Sequence, residues 1–201
     1  MAKIKIFNST VGYDLAAVDY DKREKYLDSF EKNKLEPLLG EIKHKKILEV
    51  GAGTGRLANR LFKNGADVVA LDVSSEMLKV LKGKNSKIKI IVGEAENLPF
   101  EDEFFDIVIA AFLIVHLKDP KVFFDEAYRV LKTGGKLLIT NINQKEAPEI
   151  KTKNGIIKIE SFYHRPQAVI DKLENLAFNI EKNIFIYEKE TWVNQIIVAS
   201  K

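Results

Sequence analysis

The chain has 201 residues, 46% of them hydrophobic and 30% charged, with a net charge of +3. That length suits one domain with a sizeable core, and the composition excludes wholesale disorder. The small charge, carried mostly by lysines interleaved with Glu and Asp, argues against a dedicated nucleic-acid surface, and without cysteine there is no disulfide, thiol nucleophile or thiolate metal ligand.

The opening MAKIKIFNST lacks the apolar segment of a signal peptide. The longest apolar run, IVIAAFLIV at 107–115, is about half a membrane span, so a soluble cytoplasmic protein without a membrane partner is expected. Residues 1–44 read as a helical cap, with Tyr26, Leu27 and Phe30 followed by Leu35, Leu38, Leu39 and Ile42 at helical spacing. From Lys46 the texture changes. Short runs (KILEV, DVVALD, KIKIIV, FDIVIAAF, KLLITN) alternate with amphipathic segments such as SSEMLKVLKG and DPKVFFDEAYRVLK. This alternation predicts a parallel sheet covered on both faces.

Asp119-Pro120 marks a helix start, and Val122, Phe123, Ala127, Val130 and Leu131 give that helix one apolar face. Near 150–160, IKTKNGIIKIE predicts a small hairpin turning at Asn154-Gly155 and projecting from the sheet. After a last helix, RPQAVIDKLENLAF, the runs NIEKNIFIYE and TWVNQIIVAS form a terminal hairpin that adds antiparallel pairing at the sheet edge.

The turn in ILEVGAGTGRLA carries Gly51, Gly53 and Gly55 between the first core strand and a helix. A P-loop would need Gly-Lys-Ser/Thr where Arg56-Leu57-Ala58 stands, and a dinucleotide fingerprint would need its third glycine at Arg56. Both fail. Glu49 ends the strand, where its carboxylate would repel a pyrophosphate and attract a cation. The guest that fits carries adenosine at one end and positive charge at the other. S-adenosylmethionine does. Asp72 ends the second strand about twenty residues beyond the turn, the spacing at which an acid reaches a ribose diol; the plainer reading is a helix cap.

On these segments the chain resembles the class I S-adenosylmethionine-dependent methyltransferases, of the small methyltransferase type 11 kind. EVGAGTG is similar to that family's first motif, ALDVSSEML to its second, and GEAENLPFEDEFFDIVIA to its third and fourth; RVLKTGGKLLI and FYHRPQAVIDKLENLAF follow in family order. Glu94 stands where the family commonly has Asp, and Leu176-Ala177-Phe178 where it often has Ala-Gly-Phe.

The resemblance implies an α/β Rossmann-like three-layer sandwich whose seven-stranded, mostly parallel sheet ends in an antiparallel hairpin. It would be one domain over 1–201, with the cap at 1–44 and the core at 45–201. It implies S-adenosyl-L-methionine as cofactor and S-adenosyl-L-homocysteine as product, with no metal. Glu49, Gly51, Gly53, Gly55 and Asp72 would form the floor of its site. Met77 would lie against the adenine, Glu94 and the Ala95 N–H would read its edge, and the Ala110 carbonyl would hold the ammonium. Tyr20, with Tyr13, belongs to an N-terminal segment that closes over the cofactor in this family; ordinary helix packing would also explain both rings.

Methyl transfer is an in-line displacement, so alignment and removal of a proton are what a protein supplies. His116, beyond the fourth core strand, is the candidate base, substrate contact or helix cap. His164 and Tyr163, at the exit of the small hairpin, are substrate-side candidates, while His44 reads as a surface residue. No His, Asp or Glu spacing suggests a metal site. A small-molecule acceptor methylated on O, N or C is the expected partner, because the chain shows no arginine cluster and no aromatic-basic interleaving. An RNA or protein acceptor and a catalytically silent cofactor-binding protein are the alternatives; Arg56 argues against a nicotinamide dehydrogenase.

Overall fold

The computed structural model describes residues 4–31, 33–153 and 155–201. Its first elements are a short strand, β1 (Lys5–Phe7), and α1 (Ser9–Ala16), capped by the Asn8 side chain, which accepts from the Val11 N–H at 3.0 Å. The chain tightens into a 3-10 helix at Ala17–Arg23 and reopens as α2 (Glu24–Glu31). The helical spacing of Leu35, Leu38, Leu39 and Ile42 does not yield a continuous helix. Asn33 and Gly40 take left-handed φ of 58° and 69°, leaving only a 3-10 turn at Glu36–Leu39 between them. Leu35, Leu39 and Ile42 are buried regardless, against one face of the sheet.

The core alternates as expected: β2 (Lys46–Val50), α3 (Arg56–Lys63), β3 (Asp67–Asp72), α4 (Ser75–Lys84), β4 (Lys89–Val92), β5 (Phe105–Ala110), α5 (Lys121–Val130) and β6 (Leu131–Ile142). Then come β7 (Glu149–Thr152), β8 (Gly155–Ile159), α6 (Pro166–Glu174), β9 (Asn179–Glu188) and β10 (Thr191–Ser200). Seven strands form one sheet in the order β4-β3-β2-β5-β6-β10-β9. The first five run parallel, and β10 pairs antiparallel with both β6 and β9. Strand periodicity divides the core in two. Ile47, Val68, Ala70, Ile107 and Leu138 face α3 and α4, whereas Leu48, Val69, Val108, Leu137 and Ile139 face α5 and α6.

The chain builds outward from β2 to β4, then crosses back to lay β5 on the other side of β2. That reversal opens a crevice beyond the carboxyl ends of β2 and β5, the usual ligand position in such sheets.

The small hairpin does not stand alone. The parallel pairing of β1 with β8 makes it a three-stranded sheet, β1-β8-β7, whose inner face packs Ile150, Ile157 and Ile159 against Ala16, Ala17 and Met77. Asn154, one half of the expected turn, lies outside the described residues; Thr152 and Gly155 pair on either side of it. Gly12 is where α1 meets this sheet, since a Cβ there would sit 2.6 Å from Cγ1 of Ile159. The last helix ends without glycine: Ala177 adopts φ 64° while the Phe178 N–H reaches back to the Leu173 carbonyl at 3.1 Å.

Candidate active site

A cavity of about 320 Å³ occupies the crevice, within the usual range for small-ligand sites. Its floor is the turn after β2. Gly51, Gly53 and Gly55 all have positive φ, but they serve different ends. Gly53 lines the cavity, and a Cβ on it would meet no protein atom within 4 Å; bare backbone faces the space there. At Gly55 a Cβ would fall 2.2 Å from Cδ1 of Leu81, so this glycine lets α3 approach α4 and does not line the cavity.

Asp72 is 7% exposed and holds this floor in place. One carboxylate oxygen accepts from the Gly53 N–H and the other from the Ser74 N–H, each at 2.8 Å, and burial pushes its pKa up. The capping itself falls to Ser74, whose hydroxyl oxygen accepts from the Met77 N–H at 3.1 Å. Ser74 in turn donates to Asp14 of α1 at 2.6 Å, which ties the cap to α4.

Glu49 is 4% exposed, and its Oε2 is buried with no hydrogen-bond partner. Burial pushes its pKa up to about 8, against the opposing pull of the Arg56 guanidinium and a backbone hydrogen bond from Ala58. A desolvated carboxyl with a free oxygen at a cavity wall is set to receive a cation.

Arg56 begins α3 and lines the same cavity, but its charge is already engaged. It grips Glu31 of α2 through two bonds of 2.7 Å and Asp28 through one of 2.6 Å. Arg60, one turn further on, reaches Asp28 at 2.7 Å and Glu24 and Glu36 at 3.2 Å. The cap is therefore clasped to α3 by an ion-pair network. Glu24, Asp28 and Glu31 recur at helical spacing, a pattern that could have announced an acidic face needing a basic partner.

The roof comes from the cap. Tyr13 and Tyr20 lie on different helical segments, yet their rings meet edge-on with centroids 5.7 Å apart. The Tyr13 hydroxyl lies 2.6 Å from Nε2 of His116, whose Nδ1 lies 2.9 Å from the Glu160 carbonyl. A carbonyl only accepts, so Nδ1 carries the hydrogen and Nε2 receives the phenolic one. Burial holds the His116 pKa below its ordinary value and pushes both phenols up.

Met77 is fully buried in the cap's apolar cluster and also forms part of the cavity wall, so packing and lining coincide. Glu94 and Ala95 line it from the loop after β4. Ala110 does not; it is buried in the sheet, and Ala111 stands at the wall. The two substrate-side candidates also fall elsewhere. His164 shares its Nε2 hydrogen between the carbonyls of Ile114 and Leu117, at 2.9 and 3.0 Å, and steadies the 3-10 turn bearing His116. Tyr163 is 38% exposed beside Trp192, outside the cavity. Phe112 went unread in the sequence. It lines the cavity with φ 59°, its N–H donating to the Thr140 hydroxyl at 2.7 Å. Among the described residues no cluster of three or more His, Asp or Glu could hold a metal ion, and no helix is long and apolar enough to cross a membrane.

Residues 48–139 match a family described as a methyltransferase domain. An uncharacterised protein of Methanocaldococcus jannaschii is 33% identical over 192 residues, 92% of this chain and 90% of that one. A demethylmenaquinone methyltransferase of Renibacterium salmoninarum is 40% identical over 105 residues, 52% of this chain but only 44% of its own length. Among solved structures, an S-adenosylmethionine-dependent methyltransferase from Mesorhizobium loti superposes with a TM-score of 0.74 at 16% identity, covering 87% of this chain and all of that one. At that identity the likeness speaks for the fold.

Proposed function

The chain belongs to the class I S-adenosylmethionine-dependent methyltransferases, and from that premise we propose that it moves the cofactor's methyl group to an oxygen, nitrogen or carbon of a small molecule. The observation that carries the reading is the orphaned Oε2 of Glu49, buried at the wall of the crevice. A pyrophosphate cofactor would be repelled there, while a positively charged amino-acid end satisfies it. Each Asp72 oxygen makes one backbone hydrogen bond and keeps acceptor capacity for a ribose hydroxyl. Met77 offers a flat apolar wall to a base, and Glu94 and Ala95 offer an acceptor and a donor at the cavity's edge.

When bound, the cofactor supplies a methyl group on a sulfonium, already a good leaving group. The chain's task is to orient the nucleophile and remove its proton. Neutral His116, presenting its Nε2 lone pair to Tyr13, serves as the base: a proton released to the Tyr13 hydroxyl passes as the phenolic hydrogen moves to Nε2. Tyr13 and Tyr20 cover the crevice from the cap side and limit water there.

The small-molecule acceptor is supported by the size of the crevice beneath the cap and by relatives named for a quinone-type substrate; the shared region spans less than half of one such relative. A thermal-shift comparison tests the cofactor. At a hundred times its dissociation constant, a ligand stabilises a fold by roughly 2.7 kcal/mol, or roughly 5 to 11 °C for a chain of this size. S-adenosylhomocysteine should give that shift and NAD none; the reverse would overturn the reading. Labelled methyl appearing in a metabolite after incubation with an extract tests the acceptor class.

A further inference from the structure

A second, smaller cavity of about 60 Å³ lies beyond the Tyr13–His116 pair, sharing Tyr13, Tyr20, Leu27, Phe112 and His116 with the crevice. Its far walls are apolar or aromatic, from Tyr26, Phe30 and Ile150, with two exceptions. Arg23 forms no ion pair among the described residues and stacks instead on the Tyr26 ring, 5.7 Å from its centroid. Gln144 contributes an amide nitrogen that is buried and without a hydrogen-bond partner. One buried donor without a partner, from Gln144, and one guanidinium engaged only by the Tyr26 ring thus border an otherwise largely apolar space next to the candidate base.

A buried donor left unmade costs about 1–3 kcal/mol, so its retention asks for a partner. The cavity itself holds about four to six water-sized atoms, which is a head group and not a whole metabolite. Arg23 brings one positive charge, and among the described residues no lysine lines the space. A single negative charge is matched there, whereas a phosphate's second charge would be buried without compensation. A planar carboxylate also suits the fork of a guanidinium beside an amide N–H.

We propose that this cavity anchors the methyl acceptor by a carboxylate, held by Arg23 and Gln144, with its short apolar stem passing between Phe112 and the tyrosines. The inference rests on the methyltransferase reading above. It assigns the acceptor class as small monocarboxylic acids whose nucleophile lies a short distance from the acid group, near Tyr13 and His116.

Calorimetry on the full chain saturated with S-adenosylhomocysteine tests this with acetate, propionate, benzoate and phenylacetate, each against its primary amide. At least one acid should bind tenfold or more tightly than its amide. Arg23→Gln should erase that preference and Gln144→Leu reduce it, while affinity for S-adenosylhomocysteine stays unchanged in both. No preference in any pair, a preference surviving Arg23→Gln, or inorganic phosphate binding more tightly than every acid would overturn the assignment. Failure of S-adenosylhomocysteine to bind the unaltered chain would instead strike the methyltransferase reading and take this inference with it.

Discussion

Tyr13 donates its phenolic hydrogen to Nε2 of His116 at 2.6 Å, joining the cap to the turn after β5 across 103 residues of sequence. Because burial holds the His116 pKa below 6.5, the ring stays neutral to lower pH than an ordinary histidine. Methyl transfer should therefore be flat across neutral pH and fall only on the acid side of 6.5, as Nε2 gains a proton. His116→Gln should lower turnover by about 10²–10⁴-fold, the usual worth of a positioned base, and abolish that acid limb. An unchanged rate–pH profile in the variant would remove His116 from the chemistry.

The Glu49 pKa shifts the opposite way, and its effect falls on cofactor binding at higher pH. With its pKa at about 8, the ligand-free protein holds this carboxyl mostly protonated at pH 7. A cationic ligand prefers it ionised, so binding should release a proton and tighten as pH rises from 6 to 8. For stability, a folded pKa raised above the unfolded one means that the burial cost is absent below about pH 4.5 and grows as pH rises toward 8. Glu49→Gln should accordingly stabilise the ligand-free fold by about 1–3 kcal/mol at pH 8, with little effect near pH 4.5, and weaken S-adenosylmethionine binding. Buffer-dependent calorimetry that detects no proton release at pH 7 would contradict this.

The Arg56–Glu31 clasp lies where burial outweighs attraction, since the Glu31 pKa is raised by burial even with the guanidinium in contact. Removing one partner by Arg56→Leu should cost about 3–5 kcal/mol, and adding Glu31→Leu should restore much of it. Denaturant unfolding of the single and double variants measures the difference. A double variant as unstable as the single would mean that the pair contributes attraction beyond mutual compensation.

Ala177 supplies a prediction for the last helix. A left-handed Cβ costs roughly 1–2 kcal/mol, and glycine returns part of that as chain entropy. Ala177→Gly should stabilise by about 0.5–1 kcal/mol with cofactor affinity unchanged, read from the denaturant midpoint. Destabilisation would show that the φ of 64° is not strained.

The sheet was legible because its central strands are nearly continuous apolar runs buried on both faces, and the glycine turn because its three glycines take the left-handed φ that other residues rarely adopt. The cap was not. A three-residue strand such as β1 has no periodicity to read, and its partner β8 is distant in sequence. His164 sits where a chain leaving the hairpin reaches the crevice, but the direction of its ring, toward the Ile114 and Leu117 carbonyls, depends on packing that spacing does not encode. Seven residues separate Tyr13 from Tyr20, two turns if a single helix carried both. The break at Ala17 spoils the premise, and ring packing brings the two together.

The pairing of β1 with β8 has a consequence for how the protein is made. Some 150 residues separate the two strands, so at roughly 5 to 20 residues per second β1 waits about 8 to 30 s for its partner to be synthesised. During that interval the glycine turn and the ends of β2, β3 and β5 can already assemble, while Tyr13 and Tyr20 have no sheet to press against. A nascent chain would thus display an open cofactor floor before it owns a roof, and ligand captured at that stage would become enclosed as the final third of the chain arrives.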